Sequence, residues 1–312
     1  MYLQAKQNHK PMYQQVYDST HTPKQIQSVI GAGGEGQVCA IAHGKNLILA
    51  KVYKQVKIER SQKLNFMMRC KQFHHHKRFA WPSCSIFSQK KEFIGYAMSP
   101  RHGLPLTRCF LPTVKDLGAW DRLLMVRTCL NIIEGLEELH QEQILVGDLN
   151  ESNLLINPSN ADVFFIDCDS YQIINKNHKF LCPVGRPEYL APELQGLKLA
   201  QHHRELDQEV FAAGILLFKV LMLGQHPYTH FGGSIPSQNI RKGHFPYHTQ
   251  KHIPKGPWMS LWNELAPSVQ DWFLRLFVQG HKDRQKRPPL KLLKKALEEY
   301  QKSLTRKTNK LF

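Results

Sequence analysis

The chain has 312 residues, 42% of them apolar, and a formal net charge of +17. This length and apolar fraction exclude a disordered protein and suffice for one large domain or for two lobes that each have a core. Residues 1–24 are polar, and the longest apolar stretch, residues 210–223, is short for a bilayer span and contains Lys219. We therefore predict neither a signal peptide nor a membrane span.

The charge is unevenly distributed along the chain. Residues 1–100 contain 15 Lys/Arg and 4 Asp/Glu, and residues 201–312 contain 18 and 8, but residues 101–200 contain 9 and 13. A magnesium site needs carboxylates such as the acidic middle third supplies, whereas a protein that only binds nucleic acid does not. The basic flanks could attract nucleic acid, an anionic lipid surface or an acidic protein, and a solvated basic surface accounts for them equally well.

The cysteine pattern favours a reducing compartment. An odd number of scattered cysteines without a Cys-x-x-Cys pair argues against a disulfide framework and against a structural zinc site, and it predicts a cytoplasmic protein. The seven cysteines are Cys39, Cys70, Cys84, Cys109, Cys129, Cys168 and Cys182.

The predicted elements change from strands to helices along the chain. Short runs bounded by Gly, Asn or His predict strands at 28–30, 38–41, 47–53 and 93–98, and helical spacing predicts a helix at 56–70. From residue 114 onward helices dominate, with segments predicted at 123–140, 210–223, 272–278 and 290–300. Strands followed by helices predict an α+β fold with two lobes, a small and mainly β N-terminal lobe and a larger helical C-terminal lobe.

The same pattern predicts the domain boundaries. We expect an N-terminal extension at residues 1–24, the first lobe at residues 25–100, the second lobe at residues 101–301 and a basic tail at residues 302–312. The hinge between the lobes is expected near Met98.

The first chemical motif is a glycine-rich segment, Gly31-Ala-Gly33-Gly-Glu-Gly36-Gln-Val38. Alone, this spacing also occurs in dinucleotide-binding folds, where the glycines open a helix, and in ordinary hairpin turns. Here strand-like sequence follows, and Lys51 stands 15 residues after Gly36. A glycine turn between strands can lay backbone amides over phosphates, and a strand lysine can bind the α- and β-phosphates, so the context favours a nucleotide site.

The second motif is Asp148-Leu-Asn-Glu-Ser-Asn153, which follows the predicted helix 123–140. Hydrophobic residues 154–156 come next, and Asp167 stands 14 residues after Asn153. Taken singly, such residues more often form turns and caps. Together and in this order, their carboxylate and amide oxygens are hard ligands that suit Mg²⁺.

These motifs resemble the catalytic and magnesium loops of protein kinases. Ala191-Pro-Glu193 stands where the kinase Ala-Pro-Glu motif closes the activation segment, and Arg287 stands where a later kinase motif lies. The resemblance extends from about residue 28 to residue 300. It implies a two-lobed protein-kinase-like fold that binds ATP and Mg²⁺ between its lobes.

A narrower resemblance rests on six segments: Gly-Gly-Glu-Gly at 33–36, Ala-Trp-Pro at 80–82, Ile-Asp-Cys-Asp-Ser-Tyr-Gln at 166–172, Cys-Pro-Val-Gly at 182–185, Pro-Glu-Tyr-Leu-Ala-Pro-Glu-Leu at 187–194 and Leu-Met-Leu-Gly-Gln-His-Pro-Tyr at 221–228. They resemble a bacterial branch of serine/threonine protein kinase-like proteins. Members of tellurite-resistance-type triads in that branch are associated with a von Willebrand A-type protein and a protein phosphatase. The resemblance alone implies these partners.

The resemblance also implies roles for individual residues. Asp148 would accept or orient the proton of the substrate hydroxyl, Lys51 would pair with the α- and β-phosphates, and Asn153 and Asp167 would hold magnesium. The remaining nucleotide contacts would come from Gly31, Gly33, Gly36, Val38, Met98 and Leu155. Glu193 would pair with Arg287 to anchor the activation segment.

The partner of Lys51 is less well specified by the sequence. Glu59 is the candidate on the following helix, although a solvated glutamate on the helix face fits its position equally well. Asp169 could approach magnesium or cap its own turn, and we favour the turn. Glu209 stands where the kinase family has an aspartate that supports the catalytic loop.

The chain departs from the kinase pattern at Gly147, Asn150, Cys168, Asp169 and Arg186. Since Gly147 replaces the arginine of His-Arg-Asp, no cation is expected there to bind an activation-loop phosphate. Residues 167–193 also contain no threonine, so we predict constitutive or partner-controlled activity.

Three interpretations of function follow. The first is a serine/threonine protein kinase, the second a nucleotide-binding pseudokinase scaffold, and the third a basic module associated with nucleic acid, for which no recognition motif exists beyond charge. Losing one preorganised donor costs about 10²–10³ in rate, which slows an enzyme without abolishing its activity. Because Lys51, Asp148, Asn153 and Asp167 are all present, we favour an active enzyme.

Overall fold

The computed structural model describes residues 9–43, 46–74, 76–110, 120–174 and 178–308. Residues 1–103 and 164–169 form one compact unit, and residues 104–163 and 170–312 form another. The first unit is built mainly of strands and the second mainly of helices, which confirms the predicted order of the elements.

The first unit contains an antiparallel sheet of β1 (Gln15–Tyr17), β2 (Pro23–Ala32), β3 (Gly36–His43), β4 (Asn46–Tyr53), β5 (Pro82–Phe87) and β6 (Phe93–Met98). The strand order is β1-β2-β3-β4-β6-β5, and the pair Tyr17–Phe87 also joins β1 to β5. Alternate residues of a strand share one face, so Ala50 and Val52 of β4 both enter the core, where they pack with Ile41.

The glycine-rich turn joins β2 to β3 beside the strand that contains Lys51. Strands β3 and β4 pair so that Val38 lies opposite Lys51. The Gly33 N–H donates to the Gly36 carbonyl at 2.9 Å, which closes the turn. A side chain at Gly36 would overlap the backbone of Val52, so the close approach of β4 requires glycine at this position.

Helices α1 (Ile58–Met67) and α2 (Lys71–His74) also belong to the first unit. Helix α1 lies within the predicted helix 56–70 and buries Leu64 and Met67. The Trp81 indole donates to the Met67 carbonyl at 2.9 Å and stacks on Phe73 of α2, with ring centroids 4.5 Å apart.

Residues 164–169 join the first unit although they lie far along the chain. The Phe165 N–H donates to the Arg78 carbonyl at 2.8 Å, and the Phe165 carbonyl accepts from the Ala80 N–H at 2.8 Å. The rings of Phe79 and Phe165 also pack together, with centroids 5.3 Å apart. These contacts fix the backbone that leads to Asp167.

The helices of the second unit are α3 (Arg122–Gln141), α4 (Leu206–Leu221), α5 (Pro236–Lys242), α6 (Pro246–Thr249), α7 (Trp258–Asn263), α8 (Pro267–Leu274), α9 (Gly280–Lys282) and α10 (Leu290–Thr308). Asp121 caps α3 by accepting from the Leu124 N–H at 2.8 Å. Helix α4 is buried along most of its length, and Gly214 leaves room for the Leu276 side chain. The predicted helices 123–140, 210–223 and 290–300 are thus confirmed, and the segment 272–278 covers the end of α8 and a π-helical continuation.

The remaining short strands are β7 (Leu104–Pro105), β8 (Ile144–Leu145), β9 (Leu154–Ile156), β10 (Val163–Phe165), β11 (Gln172–Ile174) and β12 (Lys179–Phe180). Strand β7 pairs with β9, and β11 pairs with both β8 and β12. Strands β8 and β9 flank the segment that contains Asp148 and Asn153, so the sheet pairings hold both ends of that segment.

Strand β1 and the start of β2 lie within residues 1–24, and α10 continues to Thr308. The boundaries at 24, 100 and 301 remain predictions. All seven cysteines lie among the described residues and are free thiols. Within the described ranges, no helix has the length and apolarity needed to cross a membrane.

Candidate active site

Lys51 is a buried cation surrounded by carboxylates of the first unit. Its Nζ donates to Asp167 Oδ1, lies 2.7 Å from Asp169 Oδ1 and lies 3.8 Å from Glu35 Oε2. Burial alone would lower the pKa of Lys51, but the neighbouring Asp169 and Asp167 raise it above its ordinary value. Lys51 is therefore charged at neutral pH, as a ligand for phosphate must be.

Asp167 combines a strained backbone with an accessible carboxylate. Its φ of +61° lies in the left-handed region, which non-glycine residues seldom adopt and which often marks a functional position. Its side chain is 39% exposed. Burial and the nearby Asp169 carboxylate raise the pKa of Asp167, and a bound cation would favour its ionised form.

Asp169 has a different environment from Asp167. Its side chain is 1% exposed, and its carboxylate accepts from Lys51 Nζ at 2.7 Å, from the Tyr53 hydroxyl at 2.7 Å and from the Tyr96 hydroxyl at 2.8 Å. Burial raises the pKa of Asp169, but Lys51 and the hydroxyl donors hold it well below its ordinary value. The prediction that Asp169 serves its own turn is therefore wrong, because its side chain binds residues of β4 and β6.

Glu35 connects the glycine-rich turn to α1. Its carboxylate accepts from Arg60 Nη1 at 3.2 Å and from Nη2 at 2.8 Å, and the Arg60 guanidinium lies 4.6 Å from the centroid of the Tyr53 ring. Glu59, the candidate partner of Lys51, is exposed in the first turn of α1. Within the described part of the chain, the ion pairs of Lys51 do not include Glu59.

The backbone before Asp148 is held by a buried carboxylate of α4. Glu209 Oε2 accepts from the Gly147 N–H at 2.7 Å, and Glu209 Oε1 accepts from His140 Nε2 at 2.8 Å. Gly147 has a φ of +73°, and a side chain there would lie 2.7 Å from Cys182 Sγ and from Arg204 Nη1. The predicted support of the catalytic loop by Glu209 is confirmed, and Gly147 is required by both its conformation and its neighbours.

Asp148 and Asn153 are in contact in the second unit. Asn153 Nδ2 donates to the Asp148 carbonyl at 2.8 Å and to the Asp148 carboxylate at 3.2 Å. Asn150 is fully buried, and its Nδ2 donates to the same carbonyl at 2.8 Å. Burial raises the pKa of Asp148, although Asn153, Arg186 and Arg204 act in the opposite direction. A raised pKa suits a carboxylate that accepts a proton from a hydroxyl.

Arg204 supplies a cation that the sequence analysis did not foresee beside the catalytic loop. It is 3% exposed, and its Nη2 donates to the carbonyls of Val184 and Cys182. Among the described residues, its Nε and Nη1 have no hydrogen-bond partner. Arg204 is thus a buried cation beside Gly147, and the expectation that no cation there binds an activation-loop phosphate stays a prediction.

The end of the activation segment is anchored as predicted. Arg287 donates from Nη1 to Glu193 Oε1 and from Nη2 to Glu193 Oε2, each at 2.7 Å, and from Nε to the Gly280 carbonyl at 2.9 Å. Two parallel bonds between a guanidinium and a carboxylate are stronger and more directional than a single contact. The ion pair of Glu193 and Arg287 is confirmed.

The predicted site residues fall into two sets. The first unit contains Gly31, Gly33, Gly36, Val38, Lys51, Met98 and Asp167, and the second contains Asp148, Asn153 and Leu155. The structure brings Lys51 and Asp167 together, and it brings Asp148 and Asn153 together. Two further residues of this site, Tyr53 and Tyr96, were not predicted from the sequence. Strand alternation could have indicated Tyr53, because it shares the strand face of Lys51. Tyr96 lies opposite Lys51 only through the pairing of β4 with β6, which the sequence does not show.

Protein kinases have a strand lysine near a metal-binding aspartate, and a catalytic aspartate followed five residues later by an asparagine. The two pairs described above define this class of protein. The protein kinase domain family matches residues 24–299, and the chain belongs to this family. The family has a two-lobed fold with a β-rich N-terminal lobe and a helical C-terminal lobe.

Among curated proteins, the chain is similar to protein kinase YegI of Escherichia coli strain K12, with 29% identity over 253 residues. That match covers 73% of this chain and 38% of YegI. It is also similar to the meiosis-specific serine/threonine-protein kinase mek1 of Schizosaccharomyces pombe, with 29% identity over 36% of this chain and 27% of that protein. A third relative, the inactive serine/threonine-protein kinase PLK5 of Mus musculus, is 30% identical over 36% of this chain and 18% of that protein.

Proposed function

We propose that the chain is an ATP-dependent protein kinase that transfers the γ-phosphoryl group to serine or threonine hydroxyls of proteins. The main support is that each unit contains one set of the required groups already in contact, Lys51 with Asp167 and Asp148 with Asn153. Kinase catalysis consists mostly of positioning and charge stabilisation, which these groups can supply together.

The nucleotide is bound mainly by the first unit in this proposal. The glycine-rich turn covers the phosphates, and Lys51 pairs with the α- and β-phosphates. Val38 and Leu155 enclose the adenine, and Met98 lies at the hinge. The turn fits this role because Gly31 and Gly33 have open space at the position of a side chain, which leaves room for a phosphate to approach the backbone.

Asp148 accepts the proton of the substrate hydroxyl or orients that hydroxyl. Asn153 Nδ2 donates to its carboxylate at 3.2 Å and thereby fixes the orientation of the carboxylate. Arg186 and Arg204 favour the ionised form of Asp148, whereas burial disfavours it. The ionised carboxylate is the form that accepts the proton of the hydroxyl.

Asn153 and Asp167 are the residues that would hold magnesium. Both offer hard oxygen ligands, and Asn153 keeps its Oδ1 for a metal because its Nδ2 faces Asp148. When bound, Mg²⁺ neutralises charge on the β- and γ-phosphates. Proteins usually hold this ion through one or two side chains together with substrate phosphates, which fits this pair.

Serine/threonine specificity, regulation and location are further parts of the proposal. The specificity is supported by the name of the relative mek1, a serine/threonine-protein kinase. Control by partners is supported by the absence of threonine from residues 167–193, and the resemblance of the sequence suggests a von Willebrand A-type protein and a protein phosphatase as the partners. Free cysteines are compatible with activity in the cytoplasm.

The experiment is transfer of radiolabel from γ-labelled ATP to generic protein acceptors with Mg²⁺ present. Asp148→Ala should abolish transfer and leave nucleotide binding nearly unchanged, and Asp271→Ala, on the exposed side of α8, is the matched control. Acid hydrolysis of the product should yield phosphoserine or phosphothreonine. Wild-type protein that binds ATP but transfers no label would instead support a pseudokinase scaffold, the interpretation to which the inactive relative also corresponds.

A further inference from the structure

Protein kinases hold the strand lysine with a glutamate of the following helix. In this chain Glu59, the acid in the first turn of α1, is exposed, and Lys51 instead contacts Asp167, Asp169 and Glu35. One of these carboxylates must remain with Lys51 when phosphates and metal enter the site, because a lysine without a fixed partner would not be oriented.

Burial separates these carboxylates clearly. The side chains of Asp167 and Glu35 are 39% and 42% exposed, whereas the Asp169 side chain is 1% exposed. Water or a phosphate-bound metal can replace Lys51 at an exposed carboxylate at small cost. Removing the cation from a fully buried carboxylate leaves an uncompensated charge, which is strongly unfavourable.

The hydrogen bonds of Asp169 also indicate that this carboxylate is the one that stays with Lys51. Its Oδ1 accepts from Lys51 at 2.7 Å and from Tyr96 at 2.8 Å, and its Oδ2 accepts from Tyr53 at 2.7 Å. Both oxygens are therefore engaged by donors that come from β4 and β6. Tyr53 and Tyr96 flank Lys51 in the sheet, so the rigid pairing of these strands fixes Asp169 relative to the lysine.

We propose that Asp169 is the positioning residue for Lys51 and replaces the helix glutamate of other kinases, with Tyr53 and Tyr96 holding its carboxylate. Asp167 then exchanges Lys51 for the metal when nucleotide binds, while Asp169 keeps the lysine in place. This inference rests on the proposed function for the role of Lys51 at the phosphates. A direct metal-binding role for Asp169 is disfavoured because its oxygens are buried and already accept these bonds.

The test is a double-mutant cycle with Asp169→Asn and Lys51→Met, measured as kcat, KM for ATP and the Mg²⁺ concentration for half-maximal rate. Asp169→Asn preserves shape and removes the charge, and we expect kcat to fall by about 10–100-fold, as is usual for groups that orient a ligand. KM for ATP should change by less than about threefold, because the loss falls mainly on the transition state. The Mg²⁺ requirement should rise, because Lys51 then pairs more strongly with Asp167.

The cycle separates a positioning role from a metal-binding or purely structural role. If Asp169 acts through Lys51, Asp169→Asn should cause no further loss and no further rise in Mg²⁺ requirement in the Lys51→Met background. A ligand of the metal would still raise that requirement there, which would overturn the inference. A purely structural residue would lower thermal stability without changing kcat per folded molecule, which would also overturn it.

Further variants and a second readout distinguish failure of this inference from misfolding and from failure of the proposed function. Tyr96→Phe removes one donor but no charge and should lower kcat by about 2–10-fold in protein that remains folded, consistent with one hydrogen bond. Asp271→Asn on α8 is the matched control and should leave kcat unchanged. If wild-type protein binds ATP without phosphoryl transfer, the proposed function fails, and the same cycle is measured by calorimetry of Mg²⁺-dependent ATP binding. Equal effects of Asp169→Asn in both Lys51 backgrounds would then refute the inference.

Discussion

Lys219 of α4 is a buried cation, and its removal should lower the stability of the fold. Its Nζ donates to Glu151 Oε1 at 2.8 Å and to the Tyr189 hydroxyl at 2.8 Å, and the Tyr189 hydroxyl also donates to Glu151. The side chains of Lys219 and Glu151 are 11% and 13% exposed. Because Glu151 stands three residues after Asp148, this ion pair joins the catalytic loop to the core of the second unit.

The substitution Lys219→Met keeps most of the side-chain volume and removes the charge. Glu151 keeps the hydrogen bond from Tyr189 but loses its cation in nearly dry surroundings, and such a loss costs about 3–5 kcal/mol. Since 1 kcal/mol shifts Tm by about 2–4 °C in a domain of this size, we expect a decrease of roughly 6–20 °C. Burial raises the pKa of Glu151 and Lys219 lowers it below its ordinary value, so the variant should also raise that pKa.

The assay is thermal unfolding and urea unfolding at neutral pH of Lys219→Met, Glu151→Leu and the double variant. Replacing a buried ion pair by apolar side chains is often neutral, so the double variant should be more stable than Lys219→Met alone. Lys302→Met, at an exposed position of α10, is the matched control and should change stability by less than about 0.5 kcal/mol. Losses that add within about 0.5 kcal/mol would refute the coupling of Lys219 with Glu151.

Other charged groups near the catalytic loop and the activation segment give further expectations. Because burial raises the pKa of Asp148 above 3.8, activity should be lost as pH falls through a value above 3.8. A midpoint at or below 3.8 in the pH–rate profile would contradict this expectation. Glu209→Ala should cost about 1–3 kcal/mol more than Glu209→Gln in urea unfolding, because only alanine leaves the half-buried Gly147 N–H without an acceptor. Arg287→Lys should cost about 1–3 kcal/mol, since lysine cannot form both parallel bonds to Glu193. Burial raises the pKa of Glu193, but Arg287 holds this pKa below 4.5. The ion pair therefore stabilises the fold fully above pH 4.5, and this stabilisation is lost as pH falls through the lower pKa of the folded state. Acid unfolding of wild type and of Arg287→Lys would measure the loss.

The sequence predicted those features that depend on local pattern or on a fixed motif. The structure confirms the predicted helices at 56–70, 123–140 and 210–223. It also confirms the predicted ion pair of Glu193 with Arg287. In each helix the hydrophobic period is visible within the segment itself. The ion pair was predicted through a family motif, which supplies the long-range information that a single sequence lacks.

The predictions that failed concern buried charges. Asp169 meets Tyr53 and Tyr96 across 116 and 73 residues of sequence, so no local pattern relates the carboxylate to its donors. For Glu59 the sequence left open a pairing with Lys51 and a solvated position, and the residue lies on the exposed side of α1. Arg204 likewise reaches Gly147 only through tertiary packing. The selection of a partner for a buried charge depends on desolvation in the folded state, which sequence spacing does not encode.

The most direct test of the central claim is calorimetric titration of the full chain with ATP, with and without Mg²⁺. The proposal is that Lys51, Asp148, Asn153 and Asp167 act on the same nucleotide and cation. We expect Mg²⁺ to raise the affinity for ATP, and we expect Asp167→Asn and Asn153→Ala each to remove most of that increase. Affinity that is independent of Mg²⁺, or an increase that only one of these variants removes, would contradict a shared site.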